Sequence, residues 1–453
     1  MITKRDVCLF CFGLTSCLVV FLVHSHRRAD LRLPPPVTGD HIEYDNLAWE
    51  WSTTGRFQRH WDSPSFRAPY EEAGLDLPIG DAQITAGRPP LFVLILAAGN
   101  RMFGRQFWFG RVVNTLAMAI VCGLAAVASA RLADHIMLTG ITETQSFAKQ
   151  FPWVVSIVAV AQFILVDVRT RTYARELLTE SLSALAVSTM LIVMWLAVPT
   201  GATKIASRPK KGLFGPLVLG ITVGVAMLLR TAFAIWIPVM GLALLAWHGR
   251  LSRARGIVAA LIFVAASALV FSPWAIRNCQ VTSQFRPLGT QGATQAAAAY
   301  NDESIGRMGL WMNLEPRGFF DSVDQRTNGM ENELARADAS TAAARAWVRS
   351  HWYQLIVLMP LRVVSEWRPW NLCDLYLLAM SVLGWLAIRR HPFAVASAVL
   401  ALACSVGIAV TWSVAGRFIV PLLFPLHVFA AIGVVTTTRS AYRQGTRGSQ
   451  PEA

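Results

Sequence analysis

Charged residues are scarce in this sequence. Only 15% of its 453 residues are Asp, Glu, Lys or Arg, where a soluble chain carries about 25%. The deficit excludes an ordinary soluble globular protein, because the uncharged stretches gather into apolar runs long enough to cross about 30 Å of hydrocarbon. Acidic residues are scarcer than basic ones, 27 against 41, and the formal net charge is +14. That excess forms no single stripe and no RNA- or DNA-binding motif accompanies it, so no nucleic-acid partner is expected. The seven cysteines lack metal-ligand spacing, and Cys8, Cys11, Cys17, Cys122 and Cys404 lie inside apolar runs, where packing is their expected role. The single Asp40-His41 neighbour pair is too few ligands for a metal, and no cofactor or obligatory metal is expected. The first apolar run lacks a small-x-small cleavage site, because His24-Ser25-His26-Arg27-Arg28 follows it. It reads as an uncleaved span.

What is present is a series of apolar runs at 7–23, 111–132, 151–167, 177–198, 213–229, 231–247, 257–274, 372–388, 393–412 and 418–436. These predict an all-α integral membrane bundle of about ten transmembrane helices. Basic residues in short loops set orientation. With the N-terminus in the cytoplasm, the loops 199–212, 248–255 and 389–391 and the tail 437–453 are cytoplasmic. They carry Lys204, Arg208, Lys210 and Lys211, then Arg250, Arg253 and Arg255, then Arg389 and Arg390, then Arg439, Arg443 and Arg447. The expected division is an N-terminal membrane region (1–274), an extracytoplasmic loop (275–350), a C-terminal membrane region (351–436) and a basic cytoplasmic tail (437–453).

Two long polar segments, 24–88 and 275–350, then lie outside. In the first, Tyr44, Leu47, Ala48 and Trp51 recur at helical spacing, which predicts an amphipathic helix over about 41–57 lying in the membrane interface. In the second, 331–349 is expected to be helical. The run 89–104 is apolar but would reach only about 24 Å as a helix, and Asn100 and Arg101 interrupt it. Arg362 and Glu366 break 351–366 in the same way. Both runs are expected to stay on the outer face as juxtamembrane helices. No internal repeat is visible.

Basic residues should avoid that face, yet Arg88, Arg230, Arg277 and Arg417 sit at its span ends, with Arg171 and Arg175 nearby. A guanidinium fork suits phosphate oxygens; helix-end anchoring by snorkelling is the alternative for any single one. Asp40, Glu43, Glu176 and Glu180 accompany them. Asp40 and Glu43 at a helix start fit a cap. A carboxylate there could also take a proton from an acceptor hydroxyl or amine. Spacing alone leaves both roles open.

Several motifs, in order, resemble one family. Asp40-x-x-x-Tyr44-x-x-x-Ala48 with Gly55-Arg56-Phe57 resembles the first outer loop of GT-C membrane glycosyltransferases. The likeness is to the protein O-mannosyltransferase and aminoarabinose-lipid A transferase group (glycosyltransferase family 39-like). Arg88-Pro89-Pro90-Leu91 with Phe103-Gly104, then Arg111-x-x-Asn114, is similar to that group's next stretch. So are Leu177-Leu178-Thr179-Glu180, Leu229-Arg230, Pro273-Trp274-x-x-Arg277-Asn278 and Arg417-Phe418-x-x-Pro421. The resemblance implies a polyprenyl-phosphate-sugar donor, an outward-facing site and inversion at the anomeric carbon. It implies Asp40 as general base and Arg88 as a donor-phosphate contact. Arg230, Arg277 and Arg417 match later basic positions, with Glu43, Tyr44 and Glu180 in supporting places. Many relatives carry Asp-Glu where this chain has Asp40-His41, so a second carboxylate would come from Glu43 or Asp45. The implied partners are the donor and membrane lipids, with the acceptor unspecified among lipid, polysaccharide and protein. The topology favours a bacterial inner membrane with the site facing the periplasm, and an endoplasmic reticulum location uses the same geometry.

Two other classes compete. A membrane transporter would need an inverted repeat and mid-membrane charges; a repeat in a hydropathy self-alignment would favour it. A non-catalytic lipid-phosphate-binding scaffold would keep the arginines and tolerate loss of the Asp40 carboxylate.

Overall fold

All ten runs read as spans are helical in the computed structural model, which describes residues 2–28, 31–37, 39–140, 145–197, 213–250 and 252–447. The basic loop 199–212 and residues 448–453 lie outside the described residues. Among the described residues six helices are long and apolar enough to cross a membrane: Lys4–His24, Phe107–Met137, Thr231–Gly249, Arg253–Thr282, Pro392–Val410 and Val420–Thr438. Three of the other four expected spans correspond to shorter apolar helices, Gln150–Val166, Glu180–Trp195 and Phe214–Leu229, and the fourth to Leu372–Ala387, one arm of a bent pair with Trp352–Trp367. Among the described residues the only sheet is a two-stranded antiparallel ribbon, Gln58–Arg59 with Gln83–Ile84. The chain is an all-α integral membrane protein.

The helices pack through small residues, as expected where lipid tails remove the hydrophobic drive between helices. A Cβ on Gly433 would overlap the Met380 carbonyl, and one on Gly384 would overlap that of Phe429. Helix Leu372–Ala387 can therefore lie backbone to backbone against helix Leu423–Arg447 only with glycine at both places. Helix Lys4–Arg28 crosses helix Phe107–Gly140 in the same manner, at Gly13 and Gly123.

Helix Phe107–Gly140 also defines the two ends of the bundle. Near its start, Arg111 donates to the carbonyls of Leu31, Leu33 and Arg175, and Asn114 to those of Glu176 and Leu178. Further along, Arg131 pairs with Asp6 and Asp134 with Arg5. Arg111 and Arg131 are separated by about 30 Å of helical rise, one hydrocarbon thickness. His391 and Trp195 join His135 at the second end.

The two short apolar runs form helices Pro90–Phe103 and Leu355–Trp367. Helix Pro90–Phe103 begins beside Arg88, which pairs with Asp40, and near its end Arg101 donates to the carbonyls of Trp51 and Ser52. Both ends thus touch helix Asp40–Thr54, and the two helices run side by side at the first end. Helix Leu355–Trp367 is bent from helix Leu372–Ala387 by 104° for the combined pair. Its Arg362 donates to the carbonyls of Ala299 and Ala409, which fixes it at the C-terminal end of helix Pro392–Val410.

The expected interfacial helix is more enclosed than an amphipathic pattern implies. Tyr44, Leu47 and Ala48 are buried, Tyr44 packing edge-on against Phe92 at 5.3 Å. The polar face is buried as well, because residues 58–70 fold back over it. Asn46 donates to His60 O, Gln58 to Glu50, and Tyr70 to Asp45. Helix Gly329–Ser350 forms where 331–349 was expected to be helical and closes over this layer from the second polar segment.

Candidate active site

Helix Asp40–Thr54 starts at Gly39, whose φ of 76° is a conformation that favours glycine. No side-chain cap bond forms there. Asp40 and Glu43 were equally readable as a cap, but their carboxylates face arginines, which outcompete neutral backbone amides for an acceptor. Asp40 Oδ1 lies 2.6 Å from Arg88 Nη2, and Oδ2 lies 2.6 Å from Arg417 Nη2. Arg88 Nε donates to Glu43 at 2.6 Å. Arg417 Nε donates to Glu180, which also accepts from Arg230 Nη1 at 2.8 Å. At the other side Arg59 lies 3.7 Å from Glu43 and 3.1 Å from Glu333.

The result is a ladder of alternating charge: Arg230, Glu180, Arg417, Asp40, Arg88, Glu43, Arg59, Glu333. It draws on seven separate parts of the chain. Glu180 opens helix Glu180–Ala197, and Arg230 ends helix Phe214–Leu229 with extended backbone, φ −149°. Arg88 precedes helix Pro90–Phe103, and Arg417 sits in the turn before the last helix. The Tyr44 ring lies 5.4 Å from the Arg88 guanidinium, and the Phe418 ring 5.1 Å from that of Arg230.

Burial differs along the ladder. Glu180 is fully buried and Arg88 nearly so, while the Asp40 side chain keeps 22% of its surface exposed. Burial by itself would raise the Asp40 carboxyl, but the charges of Arg88 and then Arg417 outweigh it and hold it well below the usual carboxylate range. Burial likewise opposes the charge on Arg88, and Asp40 and Glu43 overcome it. Three atoms in the ladder are buried without a hydrogen-bond partner in the structure: Arg59 Nε, Arg88 Nη1 and Glu180 Oε2.

Of the residues singled out in the sequence, Asp40, Glu43, Tyr44, Arg88, Glu180, Arg230 and Arg417 come together here. Arg277 stands apart from the ladder. Its guanidinium donates to the carbonyls of Thr85 and Phe57 and lies over the rings of Trp274 and Phe57. It therefore clamps the segment that delivers Arg88. Glu333 clamps the same segment from the far side, accepting from Ala86 N at 3.0 Å and from Thr290. Neither Arg59 nor Glu333 carried a sequence signal, because their partners lie far away in the chain.

Glu366 carried a signal that was read only as a break in an apolar run. It is fully buried and accepts from Ser413 Oγ, Val414 N and Phe418 N. Those bonds shape the turn in which Ala415 and Gly416 are left-handed, φ 52° and 85°, immediately before Arg417. Glu366→Ala would strand three donors, each charge-assisted bond contributing about 1.5–3 kcal/mol. A lowered unfolding midpoint in detergent is the expected result; an unchanged midpoint would show that the turn holds without Glu366.

A second buried polar cluster is centred on Asp167. The π-helical turn Gln162–Val166 ends at Asp167, which accepts from Arg169 N and lies 3.1 Å from His427 Nε2. Arg169 continues to Asp374 at 3.4 Å. These contacts tie the third apolar helix to the last one. Among the described residues no group of three or more His, Cys, Asp or Glu side chains is arranged to hold a metal ion.

The fold is shared with solved membrane proteins. ArnT from Cupriavidus metallidurans, bound to undecaprenyl phosphate, is 15% identical with a TM-score of 0.50, the match covering 94% of this chain and 59% of that one. The archaeal oligosaccharyltransferase AglB from Archaeoglobus fulgidus, in complex with an inhibitory peptide and a dolichol-phosphate, is 17% identical with a TM-score of 0.51. That match covers 100% of this chain and 53% of that one. The chain thus spans between half and two thirds of the length of these structures. At this identity the likeness establishes the fold, which is GT-C-like. No known protein family matches the sequence, and no curated protein matches it.

Proposed function

We propose that this chain is a lipid-carrier-dependent glycosyltransferase that moves a sugar from a polyprenyl-phosphate donor to an extracytoplasmic acceptor. The observation that carries the reading is the arginine-carboxylate ladder at one end of a GT-C-like bundle. It offers a proton acceptor and phosphate ligands within one contact of each other. The two neighbouring structures with lipid phosphates bound support the donor class.

In this reading the donor's lipid tail lies in the bilayer and its phosphate against Arg88, Arg417 and Arg230. Asp40 accepts the proton of an acceptor hydroxyl or amine as that atom bonds to the anomeric carbon. The bond from the anomeric carbon to the phosphate oxygen breaks, and the arginines take the charge that develops on the leaving phosphate. Attack opposite the leaving group inverts the anomeric centre. Arg277 and Glu333 act from behind by fixing the segment 85–88. The basic loops fit a bacterial inner membrane with this end of the bundle facing the periplasm.

The test is incubation of the purified protein with a panel of radiolabelled polyprenyl-phosphate sugars and membrane extracts as acceptor source. Release of polyprenyl phosphate together with a labelled, non-donor product is expected for at least one sugar. Absence of binding and turnover across the panel would defeat the donor assignment.

A further inference from the structure

The ladder is electrically closed without any ligand. Its four guanidiniums, on Arg59, Arg88, Arg230 and Arg417, face four carboxylates, on Asp40, Glu43, Glu180 and Glu333. A phosphate entering it adds a negative charge to a balanced and mostly buried set. A buried charge without a partner is costly, so one of the resident anions must give way. Only the central part of the ladder is open to such an exchange. Glu180 is fully buried and Glu333 is tied to Ala86 N and Thr290, whereas Asp40 is the most exposed of the four.

The donor atoms of the arginines are disposed for the same exchange. Asp40 bridges Arg88 and Arg417 with one oxygen on each, the arrangement that two oxygens of a phosphate would adopt. Arg88 Nη1, in a residue more than nine-tenths buried, points to no partner. That donor is left over by the carboxylates and available to a ligand with a third oxygen.

We propose that in the resting protein Asp40 occupies the place of the donor phosphate on Arg88 and Arg417, and that the arriving phosphate displaces it, so that the free carboxylate exists only when donor is bound. This rests on the donor reading above and adds an order to it. The groups facing Asp40 are Arg88, Arg417 and Arg230 with Glu180 and Tyr44; its neighbour His41 is turned to Glu176 at 2.9 Å. Once phosphate holds the arginines, the attraction that keeps Asp40 ionised weakens, and its basicity rises towards that of an ordinary carboxylate. Proton acceptance then becomes effective when the leaving group is in place. Without donor, a water or acceptor hydroxyl near Asp40 meets a base already engaged.

Binding of undecaprenyl phosphate separates this from a simple base. Asp40→Asn removes the competing anion, so the variant is expected to bind undecaprenyl phosphate about tenfold or more tightly, the size of one charge-assisted contact no longer competing. Titration calorimetry in two buffers of different ionisation enthalpy, at about pH 4, is expected to show proton uptake on binding to the wild type and less to the variant. Glu43→Gln, which relieves Arg88 alone, is expected to tighten binding too and serves if Asp40→Asn does not fold. Equal or weaker binding by whichever variant folds overturns the displacement while leaving the donor reading intact. Failure of the wild type to bind undecaprenyl phosphate at all overturns the donor reading instead.

Discussion

Asp40→Asn is expected to lower sugar transfer about 10²–10⁴-fold, the usual contribution of a positioned general base, in a protein that still folds. Asparagine keeps the size of the side chain and one acceptor oxygen but takes no proton at working pH. The helix start does not depend on the carboxylate, since Asp40 makes no cap bond. Each of its arginines also keeps a second carboxylate, Glu43 for Arg88 and Glu180 for Arg417. Initial rates at saturating donor, measured beside the unfolding midpoint, give the comparison. Retained transfer would remove Asp40 from the role of base.

The same pair of proteins has a pH signature. The folded-state Asp40 carboxyl is held below its unfolded value, so its contribution to stability is present above about pH 3.9. That contribution is lost as the pH falls through the lower, folded value. Any stability advantage of the wild type over Asp40→Asn should therefore be constant through the neutral and mildly acidic range and shrink only below about pH 4. An advantage that vanished between pH 5 and 7 would mean that the arginines do not hold the carboxylate as the structure has them.

Much of this architecture was readable from the chain. Apolar length located the helices, and two interrupting polar pairs, Asn100-Arg101 and Arg362 with Glu366, fall in two short ones, Pro90–Phe103 and Leu355–Trp367. Their arginines are satisfied by backbone carbonyls, Arg101 by those of Trp51 and Ser52, Arg362 by those of Ala299 and Ala409. The gathering of Asp40, Arg88, Glu180, Arg230 and Arg417 followed from order along the chain plus topology. What could not be read was who pairs with whom. Arg59 meets Glu333 across 274 positions of sequence, a contact set by how helix Gly329–Ser350 settles against strand Gln83–Ile84. Local spacing misled at Asp40, where a carboxylate at a helix start fits a cap, because the competing arginines are supplied by distant segments. It misled in the same way along helix Asp40–Thr54, whose polar stripe is covered by residues 58–70 and not by water.

Arg417 joins the two halves of the ladder, and its removal is the most damaging change expected at the site. One guanidinium serves two carboxylates, Nε on Glu180 and Nη2 on Asp40. Arg417→Ala leaves Glu180, fully buried, with Arg230 as its remaining ionic partner. Breaking a buried pair costs about 3–5 kcal/mol, and the lower end applies because Arg230 stays. Transfer should fall about 10²–10³-fold, the loss typical of one donor to a developing anion. Arg417→Lys keeps the charge but has no planar fork to reach both carboxylates, and should fall between the two. The decisive comparison adds Glu180→Gln to Arg417→Ala. Neutralising Glu180 removes the stranded charge, so the unfolding midpoint should recover in part while transfer does not. If transfer returned with stability, Arg417 would be a structural counter-ion for Glu180, and the phosphate would have to be held by Arg88 and Arg230 without it. If neither returned, the turn shaped by Glu366 would itself depend on the arginine it presents.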